Sequence, residues 1–225
     1  MPHENESPQR AALAVALDCD GVILESVAAK TRAFGRLFAA HGPEAAAYMT
    51  AWHLAHGGVS RYRKFAHFYR ERLGREISPE ETAELDRRLS DLCLDEVLAS
   101  PMVPGAQAFL EVWSGRLPLY VVSGTPEGEL RGIFERRGLA RHFRAVYGSP
   151  AAKPEILARI LADEGLPPRR LLMVGDSSTD RDAAMGLGAL FYGRGEFPGL
   201  PCAPDLTGLA AFVAGLLAAV TERDA

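Results

Sequence analysis

Five stretches of the chain run apolar and then stop at small and polar residues. Ala12–Leu17 ends at Asp-Cys-Asp-Gly, Leu117–Val122 at Ser-Gly-Thr-Pro, Ala145–Tyr147 at Gly-Ser-Pro and Leu171–Val174 at Gly-Asp-Ser-Ser, while a weaker run, Ala189–Tyr192, ends at Gly-Arg-Gly. Short uninterrupted apolar runs bounded by turn residues read as buried strands. Helical patterns lie between and after them, over Ala106–Trp113, Glu127–Arg137, Glu155–Glu164 and Asp180–Leu187, with Leu206–Val220 as a closing helix. Strands alternating with helices predict βαβ units: an α/β core with a doubly wound, parallel, Rossmann-like sheet covered on both faces.

Positions 26–100 break this rhythm. They carry no strand pattern and read as successive helices over 27–41, 44–56, 60–73 and 79–98. In the third, Tyr62, Phe65, Tyr69 and Leu73 recur at spacings of three and four, which predicts a single buried stripe. The expected division is therefore a core built from 11–25 and 101–225, a helical insert over 26–100 and a flexible tail over 1–10. Pro101 and Pro104-Gly105 mark the return to the core.

Composition narrows the class. With 225 residues, 48% hydrophobic and 24% charged, the chain suits one globular core with a modest insert. A net charge of −4 argues against a bulk attraction to nucleic acid or to an anionic membrane. No run approaches the roughly 20 apolar residues of a spanning helix, and the polar start MPHENESPQR does not resemble a signal peptide. Cys19, Cys93 and Cys202 are too few and scattered for a disulfide framework or a zinc site, so a cytoplasmic location is expected.

The chemistry concentrates where the strands stop. Asp18 and Asp20 are two apart at a strand end and face the same side, where their repulsion would be relieved by a cation or a shared proton. A solvated strand end explains the same pattern, and some glycosyltransferases hold a metal with D-x-D. Ser123-Gly124-Thr125-Pro126 reads as a capped helix start with Thr125 as the cap, or as a phosphate grip at a helix mouth. Lys153 opens a helix, where its charge opposes the helix dipole unless an anion lies nearby. Asp176 sits where an N-cap would, which leaves Asp180, one turn later, without a structural reason. All four sets fall at carboxyl ends of predicted strands, the place where open α/β sheets put their sites. Several carboxylates, a lysine and a hydroxyl in one crevice point to a phosphate-handling site with a hard cation, Mg²⁺.

Taken in order, Asp18-Cys-Asp20-Gly-Val, Ser123-Gly-Thr, Lys153-Pro and Gly-Asp176-(x)3-Asp180 resemble the four motifs of the haloacid dehalogenase-like hydrolase superfamily. The helical block resembles that superfamily's inserted cap. The resemblance implies Asp18 as nucleophile, Asp20 as general acid and base, and Ser123 and Lys153 as phosphate ligands, with Gly124 and Thr125 beside them. It further implies Asp18, Asp20 and Asp176 around the metal, joined by Asp180 directly or through water. Gly58-Val59-Ser60-Arg61 is similar to the specificity loop of the β-phosphoglucomutase-like and phosphoglycolate phosphatase-like branches. Arg61 or Lys64 could there bind a second anionic group of the substrate, although both also fit a solvated helix face with Arg63, Arg70 and Arg72.

The expected activity is Mg²⁺-dependent hydrolysis of a small phosphorylated metabolite, such as phosphoglycolate or a sugar phosphate, by a monomer or homodimer. The alternatives are a phosphosugar mutase and a non-catalytic phosphometabolite-binding protein. Glu25 stands where many relatives carry aspartate and Lys30 where mutase-like members carry histidine, which weakens the mutase reading. A phosphonate-cleaving relative would need a cap lysine forming an imine, and nothing in the sequence marks Lys30 or Lys64 as desolvated. His41, His53, His56 and His67 read as structural or solvent-facing.

Overall fold

A computed structural model describes residues 12–224; the tail expected over 1–10 lies outside them. One sheet of six strands runs in the order β3-β2-β1-β4-β5-β6, every pairing parallel. The strands are β1 (Ala14–Leu17), β2 (Leu119–Pro126), β3 (Ala145–Ser149), β4 (Leu171–Gly175), β5 (Leu190–Arg194) and β6 (Cys202–Ala203). Five of them are the expected ones. The sixth has two residues, too few to leave any periodicity.

Alternation along the strands sorts the core into two layers. Val15, Leu17, Val121, Leu172 and Val174 pack with apolar residues of α5 (Ala106–Trp113), α6 (Glu127–Arg136) and α9 (Leu209–Asp224). Ala14, Ala16, Tyr120, Val122 and Met173 pack with those of α7 (Lys153–Glu164) and α8 (Ser178–Gly186). A parallel sheet covered on both faces explains why its strands read as unbroken apolar runs. The chain leaves central β1 toward β2 on one side and β4 on the other, which opens a crevice at the carboxyl ends of β1 and β4.

Four helices follow β1: α1 (Val27–Phe38), α2 (Pro43–Ala55), α3 (Arg61–Leu73) and α4 (Pro79–Ala99). Helix α4 opens with Pro79 and a reciprocal Ser78–Glu81 capping box. Phe34, Phe38, Met49, Phe65, Phe68 and Leu89 from this block belong to the same apolar cluster as the first sheet face. Among the described residues no helix is long and apolar enough to cross a membrane.

The buried face of α3 differs from the predicted one. Arg61, Lys64, Phe65, Phe68 and Tyr69 are buried, whereas Leu73 is 38% exposed and Tyr62 is only half-buried. Phe65 and Tyr69 belong to two stripes one residue apart. Packing selects the stripe that brings Phe68 onto Phe38, with ring centroids 4.4 Å apart, and it carries two cations inward. The solvated-face alternative therefore fails for Arg61 and Lys64, while Arg63, Arg70 and Arg72 are exposed.

Candidate active site

The crevice begins at the turn after β1. Cys19 O accepts from Ile23 N and Leu24 N, both at 2.9 Å, so the chain reverses at once. Gly21 has φ +76°, and a Cβ there would lie 2.0 Å from Asp176 Oδ2, so only glycine lets the turn and this carboxylate share the space. Arg194, at the end of β5, holds the turn from outside by donating to Gly21 O (2.9 Å) and, through two nitrogens, to Glu25 (3.0 and 2.6 Å).

Asp18 is 3% exposed. Its Oδ1 accepts from Cys19 N at 2.6 Å and its Oδ2 from Lys153 Nζ at 2.7 Å. Lys153 also donates to Asp180 Oδ1. The charge that seemed misplaced at the start of α7 thus has two anions, which raise the lysine's pKa despite its burial. Asp18 is pushed up to about 6 by burial, with Asp180 and Asp20 adding to the effect and Lys153 opposing it. Asp176 is pushed up to about 8 by burial, then by the charges of Asp18 and Asp180.

Helix α8 assigns the two late aspartates differently from expectation. Its N-cap is Ser177, in a capping box with Asp180. Asp180 Oδ2 accepts from Ser177 N (3.2 Å) and Ser177 Oγ (2.5 Å). Asp180, fully buried, therefore takes the capping duty that the position of Asp176 also allowed, and the metal-ligand role that the resemblance implies for Asp176 keeps no capping alternative. Carboxylate oxygens of Asp18, Asp176 and Asp180 lie within 4.8 Å of one another. Three converging hard oxygen donors, with Asp18 and Asp176 resisting ionisation, fit a divalent cation such as Mg²⁺.

Asp20 stands outside this trio among the described residues, so its side chain does not join the ligand set as expected. Its Oδ1 accepts from Ser26 Oγ (2.5 Å), and its Oδ2 from Lys30 Nζ (2.5 Å) and Thr125 Oγ1 (3.2 Å). Burial opposes its charge, yet Lys30 and these hydrogen bonds hold its carboxyl below the usual carboxylate range. Thr125 is not the helix cap: β2 runs through Pro126, the N-cap of α6, and the Thr125 hydroxyl also accepts from Lys30 Nζ at 2.6 Å. Ser123, 1% exposed, accepts from Thr125 N at 3.2 Å.

A cavity of about 280 Å³ lies between these strand ends and the helical block; Asp18, Asp20, Ser123, Gly124, Thr125 and Asp176 line one side, and Lys30, His53, Arg61 and Lys64 the other. The loop between α2 and α3 closes tightly over it. Gly58 has φ +72°, its would-be Cβ lies 2.1 Å from Thr179 Oγ1, and Thr179 Oγ1 donates to Gly57 O at 2.7 Å. Arg61 adds a second tie, donating to Glu129 at the start of α6 through Nη1 (2.9 Å) and Nη2 (2.7 Å), and also to Asp86 Oδ1 (3.0 Å) and Ser90 Oγ (2.8 Å). Both terminal nitrogens of its guanidinium are thus already donated to protein acceptors.

Lys30, His53, Glu129 and Arg194 belong to this arrangement without having been singled out as site residues from sequence. Ser26 and Lys30 do carry a signal, an i, i+4 pair of donors facing the carboxylate loop. Glu129 resembles an ordinary acidic residue in a first helical turn, and nothing local distinguishes His53.

A family model described as haloacid dehalogenase-like hydrolase matches residues 13–188. The chain is 31% identical over 202 residues to a phosphoglycolate phosphatase of Rhodospirillum rubrum, covering 82% of each chain. Solved structures share the fold. A β-phosphoglucomutase from Clostridium difficile aligns with a TM-score of 0.73 at 18% identity, covering 91% of this chain and 96% of that one. A CbbY mutant from Rhodobacter sphaeroides, in complex with Xylulose-(1,5)bisphosphate, aligns with a TM-score of 0.68 at 20% identity, covering 87% of this chain and 95% of that one.

Proposed function

The chain belongs to the haloacid dehalogenase-like hydrolases and is a phosphatase of that family, and we propose that it hydrolyses a small phosphate monoester, phosphoglycolate or a sugar phosphate, through an aspartyl-phosphate on Asp18. The observation that carries this reading is the setting of Asp18: a buried carboxylate at the end of the central strand, gripped by Lys153, beside Asp176 and Asp180.

Attack by a carboxylate on a phosphate dianion is opposed by charge. Two unit charges ~4 Å apart interact by about 4 kcal/mol at an effective dielectric near 20. That is roughly three decades of rate if nothing offsets it. Lys153 offsets part of it, and Mg²⁺ held by Asp18 and Asp176, with Asp180 supporting, would supply further charge neutralisation on the phosphoryl oxygens. Ser123 and the backbone of Gly124 and Thr125 would hold the remaining oxygens.

Asp20 then manages the proton. Held ionised by Lys30, it is ready to deprotonate the water that cleaves the aspartyl-phosphate. To protonate the leaving alkoxide in the first half-reaction Asp20 must first take up a proton from solvent as the Lys30 pair loosens, and the attacking water returns that proton to it in the second. The block over 26–100 acts as the cap that closes over the substrate and excludes bulk water.

Release of inorganic phosphate from a panel of phosphorylated metabolites tests the reading. Mg²⁺-dependent turnover is expected for the native protein, with a fall of about 10³-fold or more in Asp18→Asn, which removes the nucleophile. Full turnover in EDTA, or by the Asp18→Asn protein, would overturn it.

A further inference from the structure

Four cationic side chains bury their charge beside the cavity or at its floor. Lys153 lies between Asp18 and Asp180, Lys30 meets Asp20, and Arg61 meets Glu129 and Asp86. Lys64 is the exception. It is 2% exposed and lines the cavity, yet no carboxylate among the described residues pairs with it. Its Nζ lies 2.9 Å from His53 Nδ1 and 5.3 Å from the centre of the Phe34 ring. His53 cannot balance the charge: burial and the Lys64 ammonium push its own pKa down to about 3, so it is neutral. An ammonium removed from water with no counter-ion is costly unless a ligand supplies one.

We infer that Lys64, oriented by His53, is the subsite for a carboxylate on the substrate, so that the enzyme acts on a small phosphorylated carboxylic acid. The inference rests on the phosphatase reading and specifies its substrate class. A single ammonium beside a neutral imidazole and an aromatic face balances one negative charge, whereas a second phosphate dianion would remain partly uncompensated. Arg61 does not compete for this role because its donors already meet Glu129, Asp86 and Ser90.

Protonation supplies an independent readout. In the empty pocket Lys64 is pushed down to about 7, by burial first and then by Lys30 and Lys153, with Asp20 opposing them. His53 on α2, Lys30 on α1, Lys153 on α7 and Asp20 after β1 are the titratable groups that bear on it. A carboxylate bound at Nζ favours the charged form. KM for a carboxylate-bearing substrate should therefore rise as pH increases above about 7, and KM for a neutral-tailed one should not follow it.

The test compares 2-phosphoglycolate with ethyl phosphate, which lacks the carboxylate, in the Mg²⁺-loaded native enzyme, Lys64→Met and Lys64→Arg. The native enzyme is expected to prefer phosphoglycolate. Lys64→Met should erase roughly 10- to 100-fold of that preference through KM, the range for one charge-assisted hydrogen bond, while leaving ethyl phosphate within about threefold. Lys64→Arg should restore part of the preference. Lys64→Met should also melt at a higher temperature, because an uncompensated buried charge has gone. An equal loss on both substrates, or an unchanged preference, would overturn the inference.

If the native enzyme hydrolyses neither ester, the phosphatase reading fails, and calorimetric binding of phosphoglycolate still decides the subsite. Binding at least tenfold weaker in Lys64→Met supports it, and equal binding overturns it. Borohydride trapping of a phosphonylated aldehyde on Lys64 would likewise overturn it, by making the amine a covalent catalyst.

Discussion

The two walls of the cavity solve the burial of charge in opposite ways. On the sheet side acids outnumber bases: Asp18, Asp176 and Asp180 share Lys153, and Asp18 and Asp176 are both pushed toward their protonated forms. On the helical side a base is in excess, because Arg61 is neutralised by Glu129 and Asp86 while Lys64, among the described residues, meets a neutral histidine and no carboxylate. A self-contained structure would have cancelled these surpluses by pairing them with one another. Keeping them on opposite walls leaves each to be completed by something that enters, a cation on one side and an anion on the other.

Removing the residue that ties the sheet wall together should have the largest effect on stability. Asp180 is fully buried, accepts from Lys153 and closes the capping box of α8 with Ser177. Asp180→Ala leaves Lys153 with Asp18 alone and the helix end without its box, while it eases the repulsion that Asp180 exerts on Asp18 and Asp176. Loss of a charge-assisted hydrogen bond together with a helix cap costs about 2–3 kcal/mol, so urea unfolding should show a shift of that order. A shift below about 1 kcal/mol, the level of an exposed ion pair, would mean that Asp180 does not organise this wall.

The acid surplus predicts a pH dependence that the metal reverses. Asp18 at about 6 and Asp176 at about 8 both lie above the ordinary carboxylate value. Between pH 4 and pH 8 these two carboxylates hold protons in the folded metal-free protein that the unfolded chain has lost, so their share of its stability falls as pH rises, while His53 and Lys64, both pushed down, act in the opposite sense. In EDTA the melting temperature of Asp176→Asn should therefore gain on that of the native protein as pH rises across this range, and millimolar Mg²⁺ should abolish the gain because the cation takes the place of the protons. Asp176→Asn should stabilise the metal-free protein at pH 8 by about 2 kcal/mol, or roughly 4–8 °C for a chain of this size. An advantage of Asp176→Asn over the native metal-free protein that shrinks from pH 5 to pH 8 would contradict the account.

How much of this could be read from the chain follows the same division. The sheet wall was legible, because buried parallel strands leave unbroken apolar runs and the candidate residues sit where a run stops. Asp18, Ser123, Lys153 and Asp176 stand at or after those ends, but each also fits a structural reading, and their proposed roles came from the ordered motifs and the family these resemble. The exchange of duties between Asp176 and Asp180 was not legible, since both positions are compatible with capping until the true first residue of α8 is known. The helical wall was harder still. Along α3, aromatic residues at spacings of three and four fit two stripes one residue apart, and only Phe68 meeting Phe38 decides between them. That choice determines whether Arg61 and Lys64 face water or the cavity. Long-range pairs such as Arg61–Glu129 and Lys30–Thr125 depend on elements brought together by folding, so no local pattern announces them.

The smallest effect belongs to the balanced part of the helical wall. Glu129→Gln removes the charge that Arg61 meets on α6, but Arg61 keeps Asp86 and Ser90 on α4, and the glutamine amide can still accept one hydrogen bond. The loss should therefore be close to that of a single hydrogen bond, about 1–1.5 kcal/mol, below the usual cost of stranding a buried charge. Because Glu129 lies on α6 and Arg61 on α3, the substitution also weakens one of the ties between the helical block and the sheet region. If that tie only holds the cavity closed, Glu129→Gln should raise KM for phosphoglycolate and ethyl phosphate alike, in contrast to the selective loss expected of Lys64→Met. A selective loss in Glu129→Gln would show instead that the freed Arg61, rather than Lys64, reads the far end of the substrate, and the contrast between a balanced arginine and an unbalanced lysine would have to be reversed.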